Sequence, residues 1–246
     1  MRKKIIIITL SILGFIILCV GGFAGWFFYQ FRDMQPIETA QISDSIFVIK
    51  GDISNMYLLK KNDTFVAFDA GDDPKKITKG CQSLSIDPSA VKAVFLTHSD
   101  ADHVDGLPVF DSAKVYLSSD EVLLLNSKDY RHFLGMGHMN ELPVSEYETL
   151  SDGDSIMVGG IVIHAIATPG HTIGSMCFRV GESLFTGDLC IIVDEKIHPM
   201  LELFTEDIKM DSISIQKIAG MQNINYIYTA HTGYTTDLNK ALEMWR

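Results

Sequence analysis

The sequence predicts an α+β domain of two sheets packed face to face with helices outside, carried behind one N-terminal membrane-spanning helix. Three observations predict it: a charge-free apolar run over residues 5–31, two strand-rich halves each closed by helices, and strand ends that lead into polar turns bearing histidine and aspartate.

The apolar run exceeds the roughly 20 residues a helix needs to cross the hydrocarbon core, and Gln30 is its one strongly polar side chain. A buried core helix would be shorter and would carry a polar stripe. Arg2, Lys3 and Lys4 precede the run, whereas Arg32 after it is offset by Asp33 and Glu38, so the N-terminus is expected in the cytoplasm and the domain outside. Trp26, Phe27, Phe28 and Tyr29 read as an aromatic belt at the outer interface, and no small-x-small cleavage site precedes them, so an anchor is preferred over a signal peptide. The bilayer is thus an expected partner through residues 5–31, with residues 1–32 as cytoplasmic tip and anchor, 33–44 as linker and 45–246 as the domain.

All 31 acidic residues lie after Arg32 against 16 of the 20 basic ones, an excess of 15 negative charges in the soluble part. Such a surface repels polyanions, so no nucleic-acid partner is expected, and solubility is the plain reading of the charge. Cys81, Cys177 and Cys190 are an odd set that argues against a disulfide framework but allows one bridge.

Strands come first, over 45–50, 56–60 and 65–69, separated by polar turns. A helix over 74–84, a short buried strand over 93–97, a strand over 114–117 and a helix-prone stretch over 119–126 follow. Four more strands, over 155–158, 161–167, 177–180 and 183–186, are joined by glycine-containing turns, and the chain closes with helix 213–219, strand 226–229 and helix 238–245. The stretch 119–143, with Tyr130, His132, Phe133, Met136 and His138, reads as a lid or wall over a site, or equally as a plain surface helix and loop.

The richest short stretch lies directly after the strand ending at Thr97, where His98, Asp100, Asp102, His103 and Asp105 fall within eight positions. Imidazole and carboxylate are the ligands that borderline divalent ions take, and a loop leaving a buried strand can turn several of them toward one point. A calcium loop fits less well, because its fifth position would be Val104 and its glycine position would be Asp105. Three distant pieces share the pattern of a strand end and a polar turn: Thr168 to Ser175 around His171, Thr186-Gly187-Asp188, and Thr229 to Gly233 around His231. His132, His138, His164 and His198 lack that setting and read as ordinary hydrogen-bonded histidines.

The order and wording of these pieces resemble the metallo-β-lactamase superfamily, from about residue 45 to the C-terminus. The resemblance implies a four-layer αββα sandwich with the site at one edge. It further implies two divalent ions, zinc the first choice with iron or manganese as alternatives. Carried over position by position, His98, Asp100 and His171 would hold the first ion, Asp102, His103 and His231 the second, and Asp188 would bridge them. Asp102 would also orient the attacking hydroxide, and Asp69 would support the metal loop from behind.

Asp100 stands where the family has its second histidine. Three carboxylates and a hydroxide would then neutralise two divalent cations, and a neutral centre is a weaker Lewis acid. The expected activity is hydrolysis of a small ester, lactone, thioester, amide or phosphodiester by a metal-bridging hydroxide. The alternatives are a di-iron redox protein of the flavodiiron kind, whose relatives place a glutamate here, and a metal-binding module without turnover.

Overall fold

The computed structural model describes residues 2–126, 131–133 and 136–246, with the side chains of residues 2–8, 133, 136 and 138 outside the description. Tyr130 and the side chains of Phe133, Met136 and His138, named above as a lid, therefore lie outside the described residues. The chain divides into two units, Met1–Met34 and Gln35–Arg246. The first is the helix α1 (Arg2–Gln30), whose segment Thr9–Gln30 has a mean hydropathy of 2.1 and is long and apolar enough to cross a membrane.

The second unit begins with β1 (Ala40–Gln41), β2 (Ile46–Lys50), β3 (Asn55–Lys61) and β4 (Thr64–Phe68), then α2 (Pro74–Ser83) and β5 (Val91–Phe95). The short helix α3 (Ala101–Val104), β6 (Lys114–Ser118), α4 (Val122–Leu125), the hairpin β7 (Arg131–Phe133) and β8 (Met136–His138), and β9 (Glu148–Leu150) complete the first half. The second half contains β10 (Ser155–Val158), β11 (Ile161–Ala167), β12 (Met176–Val180), β13 (Ser183–Phe185), β14 (Cys190–Val193) and β15 (Lys196–Pro199). It ends with α5 (Ile208–Ala219), β16 (Tyr226–Thr229), β17 (Gly233–Thr235) and α6 (Leu238–Ala241).

One sheet runs β1-β2-β3-β4-β5-β6-β9, antiparallel up to β4 and parallel from β4 onward. The other runs β10-β11-β12-β13-β16-β17, antiparallel except for the β13–β16 pair. The layers follow from alternation along the strands. In β4, Val66 and Phe68 face the second sheet, where they meet Phe178 and Phe185, while Phe65 and Ala67 face the helical side with Ile77 and Cys81 of α2. A third cluster joins Leu184 and Ile227 to Ile215 and Ile218 of α5 and Leu242 after α6. Helix, sheet, sheet, helix is the αββα order. Phe68 stacks on Phe185 across the middle with ring centroids 3.7 Å apart. Each such buried ring contributes about 1.5–3 kcal/mol through burial alone.

The main helices start where their caps dictate. Asp73 accepts from the backbone N–H groups of Lys75 and Lys76 ahead of Pro74, and Asp207 accepts from those of Lys209 and Met210. The Asp207 cap starts α5 one and a half turns earlier than apolar spacing alone predicts. Conversely, α4 and α6 are shorter than expected, and β5 ends before Leu96 and Thr97. The stretch read as a linker supplies β1 and packs Ile37 and Ile42 against the inter-sheet core. Cys81, Cys177 and Cys190 are buried free thiols.

Candidate metal centre

Every motif residue leaves the C-terminal end of a strand at one edge of the sandwich: Asp69 after β4, the 97–106 loop after β5, His171 after β11, Asp188 after β13 and His231 after β16. Backbone hydrogen bonds tie these exits together. Met176 N–H donates to Thr97 O (2.8 Å), Ala70 N–H to His103 O (2.8 Å), and Ala230 N–H to Gly187 O (3.3 Å). Gly187 lets the Asp188 turn pack against Thr97, since it has φ +52° and a Cβ there would lie 2.3 Å from Thr97 Oγ1. The His231 turn is sewn to the first sheet. Asn55 N–H donates to Ala230 O (2.7 Å), and Tyr57 Oη donates to Thr229 O (2.9 Å) and Gly233 O (3.1 Å).

The expected ligands fall into two groups, Asp102, His103, Asp188 and His231 in one, and His98, Asp100 and His171 in the other, with the ligand atoms of each group within 4.8 Å of one another. In the first group Asp188 Oδ1 lies 3.2 Å from His103 Nε2 and Asp188 Oδ2 lies 3.0 Å from His231 Nε2. Asp102 Oδ2 lies 3.4 Å from His103 Nε2 and 3.5 Å from His231 Nε2. Asp188 also reaches toward the second group, 3.6 Å from His171 Nε2.

The outer nitrogens of these rings show which face is offered inward. His103 Nδ1 donates to Asp69 Oδ2 (2.9 Å), and His231 Nδ1 donates to Ile53 O (2.6 Å). In the neutral tautomer each ring therefore turns an Nε2 lone pair toward the carboxylates. His103 Nε2 and Asp188 Oδ1, both buried, face each other without a hydrogen bond. Two opposed acceptors need a cation between them, either protons or a metal ion. Without metal, protons serve. Burial lowers the His103 pKa, but the charges of Asp188, Asp102 and Asp69 outweigh it and hold the ring well above its ordinary value. His231 is raised for the same reasons, chiefly by Asp188 against burial. Burial pushes Asp102 up, and His103 and His231 bring it below the usual carboxylate range. This donor set of two imidazoles and two carboxylates fits a divalent ion such as zinc.

Asp69 is placed by its own backbone. At φ 60° its side chain turns back to accept from Thr97 N–H (2.7 Å) and Oγ1 while receiving His103. Glu121 plays a matching part that sequence reasoning missed. Fully buried, it accepts from Ser99 N–H (2.8 Å), Ser99 Oγ (2.7 Å) and Thr172 Oγ1 (2.6 Å), and so clamps the loop of His98 and Asp100 to the loop of His171. Gly174 admits it, because a Cβ there would lie 2.1 Å from Glu121 N.

The second group is different. Asp100 Oδ1 accepts from Arg131 Nε (2.9 Å) and Asn140 Nδ2 (2.9 Å), and Asp100 Oδ2 accepts from Arg131 Nη2 (2.6 Å). Arg131 is buried, with its side chain 5% exposed. Its remaining N–H groups reach His171 O (2.7 Å), Glu206 Oε1 (3.4 Å) and Phe204 O (2.9 Å). Burial lowers the His171 pKa to about 4, with Arg131 acting in the same direction, so this ring is neutral. The charge count made from the ligands alone omits Arg131, a fixed positive charge paired with Asp100. No motif marks Arg131. It lies in the stretch read as a lid, and a lone arginine near a hydrophobic segment carries no local signal of its partner 31 residues earlier.

A family model for the metallo-β-lactamase superfamily matches residues 49–196 of the chain. The probable polyketide biosynthesis zinc-dependent hydrolase BaeB of Bacillus velezensis is 34% identical over 126 residues, 50% of this chain and 48% of that protein. The atrochrysone carboxyl ACP thioesterase of Aspergillus fumigatus is 28% identical over 153 residues, 61% of this chain and 30% of that protein. The chain spans about half the length of the first curated relatives it matches. Among solved structures, the B3 metallo-β-lactamase BLEG-1 superimposes with a TM-score of 0.64 at 23% identity, covering 80% of this chain and 96% of that one.

Proposed function

The chain belongs to the metallo-β-lactamase superfamily, and from that premise we propose that it is a membrane-anchored, zinc-dependent hydrolase of small acyl substrates, a thioester first among them. The observation that carries the reading is the facing pair of unpartnered buried acceptors, His103 Nε2 and Asp188 Oδ1, inside a set completed by Asp102 and His231. A divalent ion held there would supply a Lewis acid and lower the pKa of a water. Asp188, Asp102 and the two imidazoles would hold the ion. Asp102, with its side chain 20% exposed while those of His103 and His231 are buried, is the member at the opening. From that place its carboxylate would orient a water beside the ion.

The acyl assignment is supported by the names of the relatives and by the rim. Ile53, whose carbonyl holds His231, is 52% exposed, Met139, beside Asn140, is 40% exposed, and Ile173, two residues past His171, is 39% exposed. These side chains suit an apolar acyl group better than a phosphodiester. Anchorage through Thr9–Gln30, with the N-terminus cytoplasmic and the domain outside, is supported by the helix's length and by Arg2, Lys3 and Lys4 before it. The test is a hydrolysis panel on the full chain in detergent, with acyl-pantetheine thioesters, a lactone, a β-lactam and bis(p-nitrophenyl) phosphate. Thioester turnover that is lost on chelation and restored by zinc is expected. Turnover of the phosphodiester alone would refute the acyl assignment, and turnover unaffected by chelation would refute the metal.

A further inference from the structure

The two ligand groups are not equivalent. In the first group His103 Nε2 and Asp188 Oδ1 lack hydrogen-bond partners, His231 Nε2 meets Asp188 Oδ2 at 3.0 Å, and no lysine or arginine is paired with any of its members among the described residues. In the second group His98 Nε2 is likewise without a hydrogen bond, but the setting differs. In the group of His98, Asp100 and His171, a permanent cation is already bound. Arg131 Nη2 lies 2.6 Å from Asp100 Oδ2 and 3.2 Å from His171 Nε2, the two atoms that a first ion would have to share. With Asn140 on Oδ1, both oxygens of Asp100 are engaged by N–H donors.

We propose that this chain is built for one tightly held divalent ion, in the Asp102, His103, Asp188 and His231 group, and that the Arg131 guanidinium stands in for the second ion of a two-ion centre. The inference rests on the metal-centre reading above and deepens it by fixing how many ions that centre takes. A guanidinium satisfies the electrostatics of the place: it neutralises Asp100 and keeps a positive charge beside Asp188, whose Oδ2 lies 3.6 Å from His171 Nε2. It cannot offer an open coordination position. It also repels a second divalent cation and holds Asp100 in a bidentate fork, with both oxygens turned to nitrogen donors. Arg131 is spoken for on every nitrogen, by Asp100, His171 O, Glu206 and Phe204 O, so it is a positioning residue rather than a grip for substrate. The pairing also accounts for the aspartate. An imidazole at position 100 could neither neutralise Arg131 nor accept its fork.

The test is zinc capacity, measured on the metal-stripped full chain in detergent by calorimetric titration and by elemental analysis after gel filtration. One zinc per chain is expected, lost in His103→Ala and kept in His98→Ala. Arg131→Gln, which frees Asp100 and removes the fixed charge, is expected to take up two. Two ions of comparable affinity in the unaltered chain would overturn the proposal, as would a single ion that His98→Ala loses and His103→Ala keeps. A capacity that stays at one in Arg131→Gln would overturn the part given to Arg131. No uptake at all would refute the metal-centre reading itself, an outcome distinct from two. Should Arg131→Gln fail to fold by near-ultraviolet circular dichroism, the histidine variants decide. Cobalt(II) bound to His98→Ala should then show the visible spectrum of the unaltered chain, and a changed spectrum would count against the assignment.

Discussion

Asp211 lies in the first turn of α5, fully buried, with no side-chain partner for either carboxylate oxygen and only the backbone N–H of His171 near enough to favour its charge. Burial, and next the charge of Asp188, push its pKa up to about 8. An acid whose folded pKa is raised keeps its proton in the folded state while the unfolded chain gives it up. Between about pH 4 and about pH 8, then, unfolding releases a proton and stability falls as pH rises; below this window the two states are alike, and above it the penalty is constant. Three pH units at 1.36 kcal/mol each put the penalty at about 4 kcal/mol at pH 7. Asp211→Asn removes it. The amide has the shape of the protonated acid and meets the same neighbours, so the pH-independent cost is shared. Urea unfolding of the metal-free full chain in detergent, followed by near-ultraviolet circular dichroism, checks the expectation. The variant should exceed the parent by about 1 kcal/mol at pH 4.5 and by about 4 kcal/mol at pH 7. With zinc bound, the Asp188 charge is offset and the slope should shrink. A difference independent of pH would refute the reasoning.

Three other outcomes are expected. His103 is held well above its ordinary pKa and His231 is raised, so zinc uptake should release protons and tighten with pH by up to about tenfold per pH unit per proton released; calorimetry in buffers of different ionisation enthalpy counts them. Glu121→Gln weakens the clamp between the Ser99 and Thr172 loops and should cost about 2 kcal/mol in urea unfolding, together with about ten- to a hundredfold in zinc affinity. A reporter joined after Arg246 should be active only outside the cytoplasm, and cytoplasmic activity would reverse the orientation.

The sandwich, and the gathering of the seven motif residues at one edge of it, were legible because each motif couples two local signals, an apolar strand and a polar exit of fixed wording. Strands β2 to β4, β11 and β12 announce themselves by length and apolar content, and the short β10 and β13 by the glycine turns beside them. By contrast, β14, β15 and β17 are three or four residues long, and nothing local separates them from turns. The start of α5 lay in its Asp207 cap rather than in its apolar spacing. Glu121 and Arg131 escaped for one shared reason. Each acts on a partner in another loop, 22 and 31 residues away, and a buried charge is intelligible only through what it touches.

The seam of Asn55 and Tyr57 against Thr229, Ala230 and Gly233 bears on how the molecule comes into being. Its side-chain bonds, and the one from His231 to Ile53, join positions 172 to 178 residues apart, so the final ligand leaves the ribosome long after the others. Closing so large a loop is slow, and a nascent chain that has not reached β16 owns three of four donors with nothing to hold the fourth. On the metal reading proposed above, ion capture would certify a finished fold. By the same logic, release of the ion to a chelator should keep pace with cooperative unfolding of the whole sandwich rather than with fraying of a single loop.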